Sequence, residues 1–513
     1  MTLRILTNKS LRGQDDPRRL LEFERRLPAV WKNASNERFS RFRWKLMRAR
    51  RYAVRWTRKL RNLLIEPPPR SSELLYEGYD LAYPEIAFHF RVHDHSYTHH
   101  VVLDDLTKET FEALAEEHWR PLMHHIGLLF APFHFRLRDF ASVRSTCWPL
   151  PADMRQFYED LAIGGLGEFR YLQGLDPRRR VTFCSDLGMD VPPPSRVPLQ
   201  DKVLVLNGGG KDSIVAAELF KAMGVPFAWF TARMNDTRAR VIVKSGVSEA
   251  YSAGFRLDPA LESHATYPWA NTPIIGLISS LALIPATLHR FRFVAIGSEY
   301  SANFPTRLFR GMEINHQYGK SYSFETQLAD LIQRRLVENV TYFSVLRPFY
   351  ELRLAALFSR FDAYLDAFIS CNVGLGRGRW CKACPKCAFV FLILYPFLDA
   401  NQLQRVFGEN LFHRQRIRVL MLDLAGRGSK PWECVGTPEE SQLALYLSLR
   451  KSPALIFPEW PRREDLERAC RGFDALAAVE RYLHGFHSPH RVPSEFEARL
   501  RSVADELDPA CAV

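Results

Sequence analysis

Seven consecutive residues, Asn207-Gly208-Gly209-Gly210-Lys211-Asp212-Ser213, have the composition of an anion cradle. Three glycines let backbone N–H groups converge on one point, and a lysine, a carboxylate and a hydroxyl follow within one turn. The apolar run Val203-Leu204-Val205-Leu206 precedes the loop and a helical pattern from Ile214 to Met223 follows it. The loop therefore opens a helix, whose N-terminal dipole favours phosphate. Spacing excludes two common alternatives. A Walker loop needs Ser or Thr directly after its lysine, where Asp212 stands. The dinucleotide fingerprint needs a further glycine and a downstream acid for the ribose, and that pattern is absent. A second constellation is Cys371, Cys381, Cys384 and Cys387, spaced C-x9-C-x2-C-x2-C. Four thiolates satisfy a closed tetrahedral zinc site, so a structural metal is expected. Cys147, Cys184, Cys434, Cys470 and Cys511 read as scattered structural cysteines.

These groups must be positioned by more than one core, because 513 residues suggest two to four domains. Pro67-Pro68-Pro69 and Pro192-Pro193-Pro194 punctuate the chain. They set off a basic arm (1–70), an α+β domain (71–196), the loop-bearing domain (197–398) and a mainly helical region (399–513). In the α+β domain Ile86 to Val92 alternates like a strand and Thr107 to Gly127 has helical spacing. In the next, short apolar runs at Val203–Leu206, Phe227–Phe230 and Arg292–Gly297 alternate with helices, which predicts an α/β, doubly wound parallel sheet. Ligands bind such sheets at the carboxyl ends of the strands.

The formal charge of +13 resembles that of a nucleic-acid binder, yet residues 1–70 hold 16 Arg and 4 Lys against 6 acids. That arm carries +14 and the rest of the chain −1. A weak contact of the arm with an anionic partner is left open, and no obligatory nucleic acid is expected. The N-terminus lacks the apolar core and cleavage site of a signal peptide, so a cytoplasmic location is expected. The uncharged stretch Ala265 to Leu288 contains three prolines and several polar residues, and reads as a buried helix rather than a membrane span.

The glycine loop resembles the Ser-Gly-Gly-x-Asp-Ser loop of the PP-loop ATP pyrophosphatases (adenine nucleotide alpha hydrolase-like fold), with Asn207 in place of the first Ser. That resemblance implies ATP bound through its β- and γ-phosphates, the α-phosphorus exposed to a substrate carboxylate, and AMP and diphosphate as products. Adding the four cysteines, the pair resembles 7-cyano-7-deazaguanine synthase, which implies an alternative activity as a carboxylate-adenylating nitrile synthase. Further polar strings narrow this: Gly164–Phe169, Gly297–Asn303, Asn315–Ser321, Phe343–Glu351 and Trp380–Phe389. With them the stretch from about Tyr79 to Pro396 resembles the UDP-N-acetylmuramoyl-L-alanyl-L-glutamate epimerases.

The epimerase resemblance implies ATP- and magnesium-dependent inversion of the terminal L-glutamate of a peptidoglycan precursor, with a UDP-muramoyl dipeptide as substrate. It implies nucleotide contacts from Asn207, Gly208, Gly209, Gly210, Lys211, Asp212 and Ser213, with Asp212 or Glu299 sharing the magnesium shell. His316, Lys320 and Glu299 are the catalytic candidates; His316 and Lys320 share a face if their segment is helical. Ser301, Asn303, Gln317 and Arg347 are candidates for substrate binding, with Arg347 also a candidate ion-pair partner of Glu351.

Overall fold

Strict alternation of apolar and polar residues makes Glu85–Val92 (β2) the centre of an antiparallel meander with Glu73–Ala82 (β1) and His95–Val102 (β3). In the computed structural model, residues 73–188, 190–267, 272–452 and 473–508 are described. The basic arm, Cys470 and Cys511 lie outside them. Pro67–Val513 forms one compact unit.

The meander grows into a six-stranded sheet by parallel pairing of β1 with Ser142–Ser145 (β4), and of β4 with Thr182–Ser185 (β5). On the other side β3 pairs with Gly254–Arg256 (β9), an edge strand from beyond residue 196. The two segments on either side of the second proline cluster thus share one sheet. The helical spacing from Thr107 to Gly127 resolves into two helices, Lys108–Glu112 and Arg120–Leu128, separated by two 3-10 turns. Pro121 explains the restart, because proline fits only the first turn of a helix.

The second sheet is wholly parallel. Its chain order is Gln200–Leu206 (β6), Phe227–Thr231 (β7), Ala250–Ser252 (β8), Phe291–Ile296 (β10) and Thr341–Ser344 (β13). In space the order is β13-β10-β6-β7-β8. The chain therefore moves outward from β6 to one side and then crosses to the other, leaving a switch point between the carboxyl ends of β6 and β10. Helices cover both faces, which accounts for the continuous apolar runs in these strands. Val203, Val205, Trp229, Phe293 and Ala295 enter a core with Ile214, Leu352 and Phe389. Leu204, Leu206, Phe230, Val294 and Ile296 enter a second core, which contains Phe88 and Phe130 of the first domain.

The apolar stretch ending at Leu288 forms two buried helices, Ile274–Leu281 and Leu283–Leu288. No helix among the described residues is long and apolar enough to cross a membrane. After Ser344 the described chain carries helices and no strand, including Glu351–Phe358, Pro385–Leu394, Gln415–Leu422, Pro438–Lys451 and Ser494–Leu507.

Candidate active site

The glycine loop lies at the switch point, between the end of β6 and helix Lys211–Ala222. Gly209 has φ +80°, and a Cβ there would lie 3.1 Å from Thr237 Cγ2. A Cβ on Gly210 would meet Ser370 Oγ at 2.9 Å, whereas one on Gly208 would meet nothing within 4 Å. Gly208 is thus the open side of the cradle. Asn207 is a brace: its Oδ1 accepts from Gly209 N–H (2.9 Å) and its Nδ2 donates to Arg238 O (3.2 Å). Ser213 Oγ donates to Gly210 O at 2.9 Å. Across the switch point, Gly297 lets β10 run close to the helix start, since a Cβ there would meet Asp212 O at 3.1 Å.

Behind the cradle three carboxylates converge. Asp212, Glu299 and Glu351 each place an oxygen within 4.8 Å of the others. Lys211 Nζ donates to both Asp212 and Glu351, and Lys386 Nζ lies 3.8 Å from Glu351. Burial pushes the Glu351 carboxyl up to about 7 against the attraction of Lys211, with the Asp212 and Glu299 charges adding to the rise. Glu299 is 0% exposed and neither of its side-chain oxygens has a hydrogen-bond partner. A buried carboxylate left unsatisfied costs about 1–3 kcal/mol or more. The oxygen donor set and its surplus negative charge fit a hard divalent cation.

Lys320 borders the same cluster. Burial alone would lower its ammonium, but Cys434, Glu299, Asp212 and Glu351 outweigh that and raise it. His316 and Lys320 do not share a helix: Tyr318–Lys320 is a single 3-10 turn, and His316 precedes it. The segment follows the hairpin Arg307–Phe309/Met312–Ile314 as a tight turn, in which Asn315 Oδ1 accepts from Gln317 N–H at 2.8 Å. Both side chains nonetheless reach one group, Cys434.

His316 Nδ1 lies 2.5 Å from Glu168 Oε2, and its ring faces the loop that carries Cys434, 6.4 Å from the ring of Trp432. Burial lowers the imidazole, yet Cys434 and Glu168 carry it up to about 10. Burial likewise raises the Cys434 thiol, and Lys320, His316 and Lys386 reverse this and hold it below its ordinary value. Cys434 is therefore part of the site and not a scattered structural residue. Its loop is tied down by Lys386 Nζ donating to Cys434 O, and by Gln317 Nε2 donating to Val435 O (3.3 Å). A capping box at Thr437 and Glu440 secures the loop's far end, with Ser301 Oγ donating to Glu440 at 2.7 Å.

Arg347 is 0% exposed and pairs with Glu325, not with Glu351, at 3.0 Å through Nε and 2.8 Å through Nη2. It also donates to Glu299 O (2.7 Å) and Lys320 O (2.5 Å), so it fixes the two segments that carry those side chains. Asn303 Oδ1 accepts from Tyr322 N–H at 2.7 Å. Of the four residues named for substrate binding, Gln317 retains a buried oxygen without a hydrogen-bond partner.

The four cysteines converge as their spacing requires, with their Sγ atoms within 4.8 Å of one another. Cys371 and Cys384 are 3.9 Å apart, and Cys381 and Cys387 3.7 Å. Sulfurs bonded at about 2.3 Å around one tetrahedral ion stand roughly 3.8 Å apart, nearly twice the length of a disulfide bond. N–H groups of Gly374 (3.2 Å) and Cys381 (3.4 Å) point at Cys371 Sγ, as suits a thiolate. The cluster is joined to the glycine loop through Ile369, whose N–H donates to Gly209 O at 3.0 Å.

A glycine loop at the switch point of a parallel sheet, backed by carboxylates and lysines, defines an α/β protein with a polar candidate site. The chain belongs to the MurL family. The profile described as the MurL N-terminal domain matches residues 71–345, and that described as the MurL C-terminal domain matches 367–459. The second match carries the family likeness past Pro396 and takes in Cys434. A protein of Xanthomonas oryzae pv. oryzae named UDP-N-acetyl-alpha-D-muramoyl-L-alanyl-L-glutamate epimerase is 29% identical over 393 residues, 74% of this chain and 85% of that protein. Proteins of the same name from Micromonospora sp. and Salinispora tropica are 33% and 35% identical over 296 and 290 residues. Each of those matches covers 55% of this chain, and 65% and 63% of the relative, so the chain spans just under two thirds of their length. No solved structure matches the chain significantly.

Proposed function

We propose that this chain is an ATP-dependent epimerase. It inverts the terminal L-glutamate of UDP-N-acetylmuramoyl-L-alanyl-L-glutamate to D-glutamate through an acyl-adenylate, releasing AMP and diphosphate, as a step in making peptidoglycan precursors. The observation that carries this reading is the meeting of two kinds of chemistry in one place. The glycine loop with its carboxylates lies on one side, and Lys320, which responds to the charges of those carboxylates, lies on the other, with His316 four residues before it.

An α-proton beside an ionised carboxylate is very weakly acidic, because its removal puts a second negative charge next to the first. Transfer of the adenylyl group makes that carboxylate a neutral, electron-withdrawing mixed anhydride, from which the proton can be taken and returned on the opposite face. The amides of Gly208 to Gly210 and the helix N-terminus receive the phosphates, with Lys211 behind them. Asp212, Glu299 and Glu351 would hold Mg2+, which when bound neutralises phosphate charge and aligns the α-phosphorus. Cys371, Cys381, Cys384 and Cys387 would hold Zn2+ as a structural clamp beneath the loop. His316 and Lys320 are held protonated, so each is suited to donating a proton.

Incubation with UDP-N-acetylmuramoyl-L-alanyl-L-glutamate, ATP and Mg2+, followed by hydrolysis and chiral analysis, is expected to yield D-glutamate together with AMP. Glutamate that stays wholly L, with no AMP formed, would defeat the reading.

A further inference from the structure

His316 and Lys320 are the groups expected from sequence to move the proton, and the structure sets a third group, Cys434, beside the first of them. An imidazole hydrogen-bonded to a carboxylate, His316–Glu168, stands against the loop that carries a thiol, Cys434: the His316 ring lies 6.4 Å from that of Trp432 and Gln317 bonds to Val435 O, and such a grouping keeps a thiol reactive in many enzymes. The three come from separate segments: Glu168 from helix Gly167–Gln173, His316 from the turn after the hairpin, and Cys434 from the loop before helix Pro438–Lys451. Glu168 is 5% exposed, and Cys434 is a half-buried residue.

Two further observations direct this thiol toward a ligand. Gln317 adjoins His316 and grips the backbone of Val435, and its side-chain oxygen, 4% exposed, has no hydrogen-bond partner. Lys386 Nζ donates to Cys434 O and lies 3.8 Å from Glu351, so the loop that carries the thiol and the carboxylates behind the glycine loop meet at one cation. A carboxylate activated at the loop would present its neighbouring carbon to this sulfur.

We propose that Cys434 is a catalytic residue, the thiolate that accepts the α-proton of the activated glutamate, with His316 and Glu168 as positioning residues and Lys320 as the donor that returns a proton. The assignment rests on the epimerase reading above. In the first step the C–H bond breaks, its electron pair passes into the enolate of the mixed anhydride, and the proton forms S–H on Cys434. In the second an N–H bond of Lys320 breaks and a new C–H bond forms. The thiol proton then passes to the neutral Lys320 amine, which restores both groups with no net gain or loss. Thiolate suits the acceptor role because it is weakly hydrated and its ordinary pKa lies near neutral pH.

The test uses full-length protein in D2O with the UDP-muramoyl dipeptide, ATP and Mg2+. Deuterium at the glutamate α-carbon and AMP are measured side by side. Cys434→Ala is expected to lower deuterium incorporation by about 100-fold or more, the usual scale of general acid–base catalysis, while AMP formation stays within a few-fold of wild type. Cys434→Ser, which keeps the shape of the side chain, is expected to show the same split. His316→Gln is expected to move the pH profile of deuterium incorporation while leaving that of AMP formation in place. In unsubstituted protein, iodoacetamide is expected to alkylate Cys434 and stop deuterium incorporation, with protection by the dipeptide. Deuterium incorporation by Cys434→Ala at the wild-type rate would overturn the assignment. So would a substrate-derived acyl group on Cys434, which would make it a nucleophile instead. Wild-type protein that produces AMP and D-glutamate sustains the epimerase reading whichever way the cysteine variants behave.

Discussion

Glu299→Gln is expected to lower AMP formation by about 100-fold or more while making the metal-free protein more stable. The first effect follows from loss of one of three buried oxygen donors, since even outer-shell changes at metal sites cost about 10–100-fold. The second follows from the state of Glu299 in the protein itself, where a fully buried carboxylate has no hydrogen-bond partner on either oxygen. A neutral amide removes the repulsion from Asp212 and Glu351 and the cost of a buried carboxylate without hydrogen bonds, at the loss of the attraction to Lys320, and a net gain of about 1 kcal/mol is expected in thermal or urea unfolding. Added Mg2+ should raise the melting temperature of the wild type and leave that of the variant unmoved. A variant that forms AMP at the wild-type rate, or is less stable without metal, would remove Glu299 from the cation site.

The other large effect is expected at the cysteine cluster. Cys384→Ser removes one of four converging sulfurs and exposes a site whose metal affinity is part of the folding free energy. Structural zinc in small peptides binds with about 10–16 kcal/mol, so loss of even about 4 kcal/mol is a modest forecast. At an unfolding entropy of about 2.1 cal/mol/K per residue, a compact unit of about 450 residues shifts by roughly 1 °C per kcal/mol, so the melting temperature should fall by roughly 4 °C. Elemental analysis should show zinc falling from one per chain toward none. Because Cys371 follows the segment that bonds to Gly209, ATP binding should weaken as well. Unchanged zinc content in a folded variant would refute the clamp.

The sequence showed most where a local pattern has one structural meaning. Three glycines between an apolar run and a helical pattern located the loop at the end of β6, and β2, β7 and β10 lie within one residue of their apolar runs, while β6 begins three residues before its own. The cysteine spacing likewise forecast convergence within 4.8 Å. What the sequence hid depends on contacts between distant segments. β9 joins β3 across some 150 residues, and no periodicity in either announces it. Arg347 turned to Glu325, although Glu351 is one helical turn away in sequence, because Glu351 is taken by Lys211. Lys386 could have been noticed between Cys384 and Cys387, where a cation in a thiolate loop invites a role. Cys434 had no such signal, since it stands alone in Trp432-Glu433-Cys434-Val435 and gains meaning only when His316 and Lys320 are brought beside it. His316 and Lys320 do not form one helical face, because only Lys320 lies in the 3-10 turn Tyr318–Lys320 and His316 precedes it.

The central claim is that the substrate carboxylate is joined to the α-phosphorus before the carbon centre inverts. It is tested most directly with dipeptide substrate carrying 18O in the α-carboxylate of its glutamate, incubated with unlabelled ATP and Mg2+ in unlabelled water. Attack by the carboxylate and hydrolysis at the carbonyl carbon leave the bridging oxygen on phosphorus. The expected result is one 18O atom in each AMP and none in diphosphate. D-glutamate formed together with unlabelled AMP, or with no AMP at all, would contradict the account.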